Sequence, residues 1–180
     1  MTRVSPLAGD KYEVFHESGR RFRFPAGQVF KADAVAGKGL QGVKGCDFVW
    51  KKRTNQVWVI EVKTSAPRAG DRLDAYMGDI VTQFLHGTLV WLAGAHGRHT
   101  GRFTLPKSLK STSALKAKPR LVLVVMDLPQ RHAQNLQLAL QTRVRAACRA
   151  FDMDQPQALS GEAVERKLPV VSIDDDPAEY

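Results

Sequence analysis

Residues 43–64 read VKGCDFVWKKRTNQVWVIEVKT and predict two β-strands joined by a polar turn. The two halves, residues 43–52 and 56–64, are rich in the β-branched and aromatic side chains that favour strands. The residues between them, Arg-Thr-Asn at 53–55, are polar and suit a short connection. We therefore expect a β-hairpin at this point of the chain.

The second of these strands carries two charged side chains on one face. Because successive side chains of a strand point to opposite sides, Glu61 and Lys63 share a face with Val57 and Val59. The residues between them are apolar or aromatic and take the opposite face. A carboxylate and an amine thus project together from the end of an otherwise apolar strand.

The hairpin also brings Asp47, in the first strand, close to Glu61, near the end of the second. Two buried carboxylates repel each other and lose hydration, so they are usually retained where they bind a cation. Oxygen ligands suit Mg²⁺ or Mn²⁺, and Lys63 lies within reach of a water molecule on that ion. The three side chains predict metal-assisted hydrolysis of a phosphodiester bond.

The length of 180 residues is typical of a single domain. No run approaches the roughly 18 consecutive apolar residues of a membrane helix, and residues 1–12 lack the apolar core of a signal peptide. The two cysteines, Cys46 and Cys148, are too few for a disulfide scaffold or a cysteine-rich zinc site. We expect a cytoplasmic protein with no membrane partner.

The net charge indicates a polyanionic partner. Lysine and arginine number 27 against 18 aspartates and glutamates, which gives a charge of +9 and an isoelectric point near 9.8. The excess lies in the first two thirds of the chain, whereas the C-terminal third ends in an acidic stretch with aspartates at 174–176. Nucleic acid is the partner that this balance favours, and a purely solubilising role is the alternative.

The opening segment allows two interpretations. Residues 10–19 suit a short helix that begins at an aspartate and ends at a glycine. Residues 11–16 and 20–24 also suit two strands around a turn at 17–19, because basic and aromatic residues alternate after the turn. The sequence leaves this choice open.

The remaining elements follow the hairpin in alternation. Apolar residues at helical spacing predict a helix over residues 72–92. The apolar run at 119–129 predicts a strand buried on both faces. A second helix is expected over 131–151 and a last short strand over 168–173.

These elements predict an α/β fold with a central mixed β-sheet flanked by helices. We expect one domain over residues 1–180, with its core at about 27–151. The C-terminal strand and the acidic tail are expected within 160–180.

A basic loop is predicted over residues 94–120, which carry seven basic side chains and no acidic one. Beside a phosphodiesterase site, such lysines are candidates for contacts to a nucleic-acid backbone. The candidates are Lys107, Lys110, Lys116 and Lys118. The alternative is a loop that is merely solvated.

The stretch GCDFVWKKRTNQVWVIEVKTS, residues 45–65, resembles the PD-(D/E)xK nuclease superfamily. Asp47 matches the first acidic position of that motif, and Glu61, Val62 and Lys63 match its ExK element. Gln83, on the predicted helix, is similar to a glutamine of the RecB-like branch. The motif covers about residues 43–92.

The resemblance implies a function and a ligand set. Mg²⁺, or Mn²⁺, would be held by the carboxylates of Asp47 and Glu61 and by the carbonyl of Val62, and Lys63 would assist the attacking water. Gln83 would support the catalytic site from the helix. The expected activity is that of a magnesium-dependent endonuclease acting on DNA in preference to RNA.

Three features depart from the superfamily pattern. Cys46 stands where a proline usually precedes the aspartate, and Gly87 stands where an aromatic residue is expected after the glutamine. The upstream acid of the site is left open between Glu13, Glu17 and Asp33.

Two further roles are compatible with the sequence. A nuclease fold with weak catalysis would serve as a nucleic-acid-binding or scaffold subunit of a larger complex, such as a nucleic-acid-processing or defence system. A homodimer is the arrangement that would supply two catalytic sites for a double-strand break. The sequence does not choose between these assemblies.

Overall fold

In the computed structural model, which describes residues 11–36, 40, 42–68, 70–98 and 102–168, the predicted hairpin lies at the centre of a β-sheet. The strands, in chain order, are β1 (Tyr12–Glu17), β2 (Arg20–Pro25), β3 (Val29–Lys31), β4 (Phe48–Arg53), β5 (Gln56–Lys63), β6 (Lys118–Val125) and β7 (Gln157–Ser160). The helices are α1 (Asp33–Ala36), α2 (Asp71–Ala95), α3 (Thr112–Leu115), α4 (Gln130–Ala150) and α5 (Gly161–Lys167), and a 3₁₀ turn covers Lys107–Lys110.

Five strands form the main sheet, in the order β3-β4-β5-β6-β7, while β1 and β2 form a separate two-stranded sheet. The pairs β3–β4 and β4–β5 are antiparallel, whereas β6 runs parallel to both β5 and β7. The sheet is therefore mixed, and helices flank it. This confirms the α/β class expected from the sequence.

The parallel pairing of β5 with β6 defines two ends of the sheet. Gln56 lies opposite Lys118 at one end, and Lys63 lies opposite Val125 at the other. We name these the Gln56 end and the Lys63 end. Strand β4 runs antiparallel to β5, so it begins near the Lys63 end at Phe48.

Apolar side chains cover both faces of the sheet. Helices α2 and α4 pack on one face, which we name the helical face, against residues that include Val57 and Val59 of β5. The β1–β2 hairpin and α5 pack on the opposite face, which we name the aromatic face because it holds most buried rings: Phe15, Phe22, Phe24, Phe48, Trp50 and Trp58. Strand β6 contributes to both cores, as its apolar run predicts.

The opening segment is a β-hairpin, so the helix considered for residues 10–19 is wrong over the described residues. Strands β1 and β2 pair antiparallel up to Glu17 opposite Arg20. Ser18 and Gly19 close the turn with φ angles of 49° and 72°, a region that glycine enters at no steric cost. The hairpin is stable because Phe22 and Phe24 bury their rings completely against the sheet.

Of the 24 described residues in the segment predicted as a basic loop over 94–120, 13 lie in regular secondary structure, so the prediction is wrong for these residues. It contains the end of α2, the 3₁₀ turn, α3 and the start of β6. Leu105, Leu109 and Ala114 are buried, and the indole nitrogen of Trp91 donates to the carbonyl of Leu109 at 3.0 Å. The segment is rich in basic residues, but its buried apolar side chains determine its conformation.

The C-terminal third contains two elements that the sequence did not predict. Strand β7 and helix α5 occupy residues 157–167, where no element was expected before 168. Strand β7 has only four residues, and its parallel pairing with β6 gives it a place in the sheet. Of the strand predicted at 168–173, Leu168 ends α5, and the other residues lie outside the described part of the chain.

The two long helices were predicted nearly to their ends. Helix α2 begins one residue before and ends three residues after the predicted range of 72–92, and α4 covers 130–150 instead of 131–151. No helix in the described parts of the chain is both long and apolar enough to cross a bilayer.

Helix α2 approaches the sheet most closely at Gly87. A Cβ atom built on Gly87 would lie 2.3 Å from the Sγ atom of Cys46 and 3.1 Å from its backbone nitrogen. Cys46 is completely buried. Cys46 and Gly87, the two residues that differ from the superfamily pattern, are therefore in contact with each other. Their packing leaves no room for an aromatic side chain at position 87.

We predict that Gly87→Ala destabilises the protein by about 1–3 kcal/mol, because overpacking at a buried helix–sheet contact is unfavourable. Gly78 is the matched control, since it lies on the same helix and a Cβ atom there would have no neighbour within 4 Å. Gly78→Ala should stabilise the protein by about 1 kcal/mol, because alanine is the better helix former. Chemical denaturation measures both changes.

The double variant Gly87→Ala with Cys46→Ala should recover part of the lost stability, because it removes the sulfur atom that the new methyl group meets. Equal stability of Gly87→Ala and Gly78→Ala would contradict the close approach of α2 to the sheet.

Candidate functional site

Two hydrogen bonds join Asp47 to Glu61 and Val62 of β5 at the Lys63 end. The Oδ2 atom of Asp47 accepts a hydrogen bond of 2.7 Å from the backbone N–H of Val62. The backbone N–H of Asp47 donates to Oε2 of Glu61 at 3.2 Å. Asp47 is 7 % exposed and Glu61 is 1 % exposed. The hairpin thus brings together the two carboxylates that the sequence singled out.

Lys63 completes this group from the next position on the same face of β5. Its Nζ atom lies 2.6 Å from Oε1 of Glu61. The Glu61 side chain is buried, whereas about a third of the Lys63 side chain is exposed. The ammonium group therefore links a buried carboxylate to the solvent.

Two further carboxylates reach the same place from the segments before β4. Oxygen atoms of Glu17, Asp33 and Asp47 lie within 4.8 Å of one another. Glu17 is the last residue of β1, and Asp33 is the first residue of α1. We name Glu17, Asp33, Asp47 and Glu61 the carboxylate cluster.

Of the three upstream acids left open by the sequence, Glu13 lies elsewhere. Its Oε1 atom accepts a hydrogen bond of 2.7 Å from the backbone N–H of Gly27, in the connection from β2 to β3. Glu17 and Asp33 are the two that join Asp47. Their convergence was not visible in the sequence because it requires the β1–β2 hairpin to pack against the main sheet.

Lys31 is a residue of the site that sequence reasoning missed. Its Nζ atom lies 2.8 Å from Oε2 of Glu17 and 3.5 Å from Oδ2 of Asp33. The signal was present, since Lys31 and Asp33 repeat the one-residue spacing of Glu61 and Lys63. The carboxylate cluster therefore holds two ammonium groups of the chain itself.

The electrostatics of the cluster oppose a high negative charge. Burial, followed by the charge of Glu61, raises the pKa of Asp47 to about 8. Burial also raises the pKa of Glu61 to about 7, although the adjacent Lys63 opposes this shift. Burial raises the pKa of Asp33 as well. Burial would lower the pKa of Lys31, but the hydrogen bond to Glu17 and the surrounding carboxylates raise it.

The donor set suits a hard divalent cation. All the converging side-chain atoms are carboxylate oxygens, which Mg²⁺ and Mn²⁺ prefer. The Oδ1 atom of Asp33 is buried and has no hydrogen-bond partner among the described residues. A bound cation would supply the missing partner and relieve the mutual repulsion of the carboxylates.

The backbone carbonyl of Val62 accepts a hydrogen bond of 3.3 Å from the hydroxyl of Ser18. Ser18 follows Glu17 in the turn between β1 and β2. This turn therefore supplies one carboxylate and also covers the end of β5.

Helix α2 carries two polar side chains on one side, Tyr76 and Gln83, two turns apart. Gln83 is half-buried, and its Oε1 atom has no hydrogen-bond partner among the described residues. The hydroxyl of Tyr76 is buried and likewise unpartnered there. Burial, followed by the charge of Glu61, raises the pKa of Tyr76 well above its usual range.

The lysines predicted to contact a nucleic-acid backbone lie towards the Gln56 end, away from the carboxylate cluster: Lys107, Lys110, Lys116 and Lys118. Lys118 begins β6 at that end and pairs with Asp152 at 2.8 Å. The segment that carries the others is bonded to β4 near its end, where Lys51 donates to the hydroxyls of Ser111 and Ser113.

Comparison with known proteins gives no match: no family model, no curated protein and no solved structure aligns significantly with the chain.

We predict that the metal-free protein loses stability as the pH rises from about 4 to about 8. Asp47 and Glu61 have ordinary pKa values of 3.8 and 4.5 but fold with values of about 8 and about 7. The folded state therefore binds more protons than the unfolded state in this window, so raising the pH favours unfolding. Thermal denaturation in a chelator should show a melting temperature about 5 °C or more lower at the upper end of the window.

Asp47→Asn should remove much of this slope, whereas Asp79→Asn should leave it unchanged because Asp79 is exposed and pairs with Lys44 at the surface. Mn²⁺ should raise the melting temperature more at pH 8 than at pH 5, because the ion competes with protons for the carboxylates. A melting temperature that rises with pH in the chelator would contradict this account of the cluster.

Proposed function

We propose that the protein is a metal-dependent nuclease of the PD-(D/E)xK type that hydrolyses phosphodiester bonds in nucleic acid, DNA in preference to RNA. The observation that carries the proposal is the contact of Asp47, Glu61 and Lys63 at the end of one hairpin. Asp47 and Glu61 supply the two acidic side chains of the motif, and Lys63 supplies its basic one. A surface pair of charges would not bury its carboxylates.

The architecture is consistent with this proposal. The antiparallel β4–β5 hairpin carries the motif, β6 runs parallel to β5, and α2 packs behind them. The resemblance implies this kind of central mixed sheet with flanking helices. Because folds host many functions, the side chains of the site carry the argument and the fold only supports it.

The carboxylate cluster would hold Mg²⁺ or Mn²⁺. Asp47 and Glu61, with the Val62 carbonyl, are the ligands implied by the resemblance, and the convergence of Glu17 and Asp33 with Asp47 extends this set. Each Glu61 oxygen receives one hydrogen-bond donor and retains acceptor capacity. When bound, such an ion polarises a phosphoryl oxygen and lowers the pKa of a water molecule.

Lys63 orients the attacking water and offsets negative charge that develops on the phosphoryl group. Its ammonium group is held by Glu61 and is partly exposed, so it can meet a substrate at the rim of the site. A positioned charge of this kind stabilises the transition state more than the ground state. Gln83, with an unpartnered amide oxygen, supports the site from α2.

A second candidate function is a catalytically weak nucleic-acid-binding subunit of a larger complex. The observation that favours it is Lys31, whose ammonium group already neutralises part of the carboxylate cluster. When lysines of the chain neutralise the carboxylates, a metal ion is less necessary to offset their repulsion. The excess of basic residues supports a nucleic-acid partner under either proposal.

We predict that Asp47→Asn, Glu61→Gln and Lys63→Met each reduce cleavage by about a hundredfold or more, because each removes a charge that acts on the reacting phosphate. The assay compares plasmid, linear duplex, single-stranded DNA and RNA with Mg²⁺, Mn²⁺ or EDTA. Asp79→Asn is the control, since this exposed carboxylate is paired with Lys44 at the surface.

Full activity in any of the three variants would overturn the assignment of that residue. If no substrate is cut with either metal while gel retardation still detects binding, the binding-subunit proposal replaces the nuclease. Cleavage that persists in EDTA would contradict a role for the carboxylate cluster.

A further inference from the structure

A row of nitrogen donors crosses three strands on the aromatic face, near the Gln56 end. Trp50 of β4 lies directly opposite Trp58 of β5, and Trp58 lies opposite Arg120 of β6. The rings of Trp50 and Trp58 meet edge to face, with their centres 5.9 Å apart. The row is unrelated to the carboxylate cluster, which lies at the other end of the sheet.

The donors of this row lack acceptors. The indole N–H groups of Trp50 and Trp58 and the Nε–H group of Arg120 are buried without a hydrogen-bond partner among the described residues. The two tryptophans are only 2 % and 3 % exposed. An unmatched buried donor costs about 1–3 kcal/mol, so three adjacent ones are a costly arrangement.

Lys52 lies over the same row and adds a positive charge. Its Nζ atom is 3.7 Å from the centre of the Trp58 ring and 5.8 Å from that of Trp50. It also donates a hydrogen bond of 2.9 Å to the backbone carbonyl of Lys167. The ammonium group is therefore held in place above the two indoles.

Positive charges crowd this position. Burial, followed by the charges of Arg53, Arg120 and Lys167, lowers the pKa of Lys52 to about 8. Asp154, 2.8 Å from Nη2 of Arg120, is the carboxylate that the described residues pair with this group. Four positive charges thus lie close together, and Asp154 pairs with one of them, Arg120. We name Trp50, Lys52, Arg53, Trp58, Arg120 and Lys167 the Lys52 cluster.

We propose that the Lys52 cluster binds a phosphate group, carried either by a free nucleotide or by a polynucleotide backbone. A phosphate offers several acceptor oxygens and negative charge, whereas the cluster offers N–H donors and positive charge. The phosphate held here is not the one cleaved in the proposed reaction, because Trp58 lies three residues before Glu61 on β5, roughly 10 Å away, and its side chain is on the opposite face of the sheet. This site does not depend on the proposed nuclease function.

Nuclear magnetic resonance of the ¹⁵N-labelled full chain tests the site through the indole N–H signals of its three tryptophans. Trp91 is an internal reference, because it belongs to the helical-face core and its N–H is already bonded to Leu109. Inorganic phosphate and a short single-stranded oligodeoxynucleotide are titrated separately in EDTA. We expect saturable shifts of the Trp50 and Trp58 signals and a stationary Trp91 signal.

Lys52→Met and Lys167→Met should each weaken phosphate binding by about tenfold, because each removes one positive charge from the Lys52 cluster. Lys167→Met retains the backbone carbonyl that Lys52 uses, so it serves as a second variant if Lys52→Met folds poorly. Lys44→Met is the matched control, since Lys44 is exposed and pairs with Asp79 away from the row. The control variant should bind as the parent protein does.

Binding of the oligonucleotide at least tenfold tighter than phosphate, and weakened by salt, identifies a polynucleotide backbone as the source. Equal binding per phosphate identifies free phosphate or a nucleotide. The proposal is overturned if the Trp50 and Trp58 signals do not move, if all three indole signals move alike, or if Lys52→Met and Lys167→Met bind as the parent does. The titrations are made in EDTA, in which the proposed nuclease holds no metal ion, so this result does not depend on the nuclease proposal.

Discussion

The reciprocal bonding of Asp47 with the end of β5 is the constraint on which the candidate site depends. The Asp47 carboxylate accepts from the N–H of Val62, and the Asp47 N–H donates to the Glu61 carboxylate. Each acid therefore satisfies a buried backbone group that the other strand leaves unpaired. Loss of either carboxylate would leave an unpaired donor in the core. The same two bonds align the strands and hold the acids together.

Buried carboxylates need compensation, and the chain supplies part of it with two lysines. Lys63 neutralises Glu61 from the solvent side, while Lys31 contacts Glu17 and Asp33 from the neighbouring edge strand. The compensation is incomplete, because burial still raises the pKa of Asp47 to about 8. The two lysines therefore offset only part of the negative charge of the carboxylate cluster. The remaining negative charge is the physical basis of the proposed metal binding.

The two ends of the sheet have opposite electrostatic character. The carboxylate cluster lies at the Lys63 end, whereas cationic side chains and buried N–H groups that lack acceptors among the described residues gather near the Gln56 end around Lys52. This separation follows from the sequence, since β4 ends in two lysines and an arginine at the hairpin, whereas Asp47 precedes β4 and Glu61 lies near the end of β5. The net charge of +9 is therefore unevenly distributed over the protein. Each end suits a different ligand.

Local pattern was sufficient for the central hairpin, the two long helices and the pairing of Asp47 with Glu61, because short-range alternation and spacing specify them. The sequence kept Glu17 and Asp33 open as candidates beside Glu13 and missed Lys31, since Glu17 reaches the site only when the β1–β2 hairpin packs on the sheet, and Lys31 joins the site through Glu17 and Asp33. The segment at 94–120 was mistaken for a loop because its composition is basic, while sparse apolar anchors order it. Contacts between residues distant in sequence depend on packing, which local pattern does not encode.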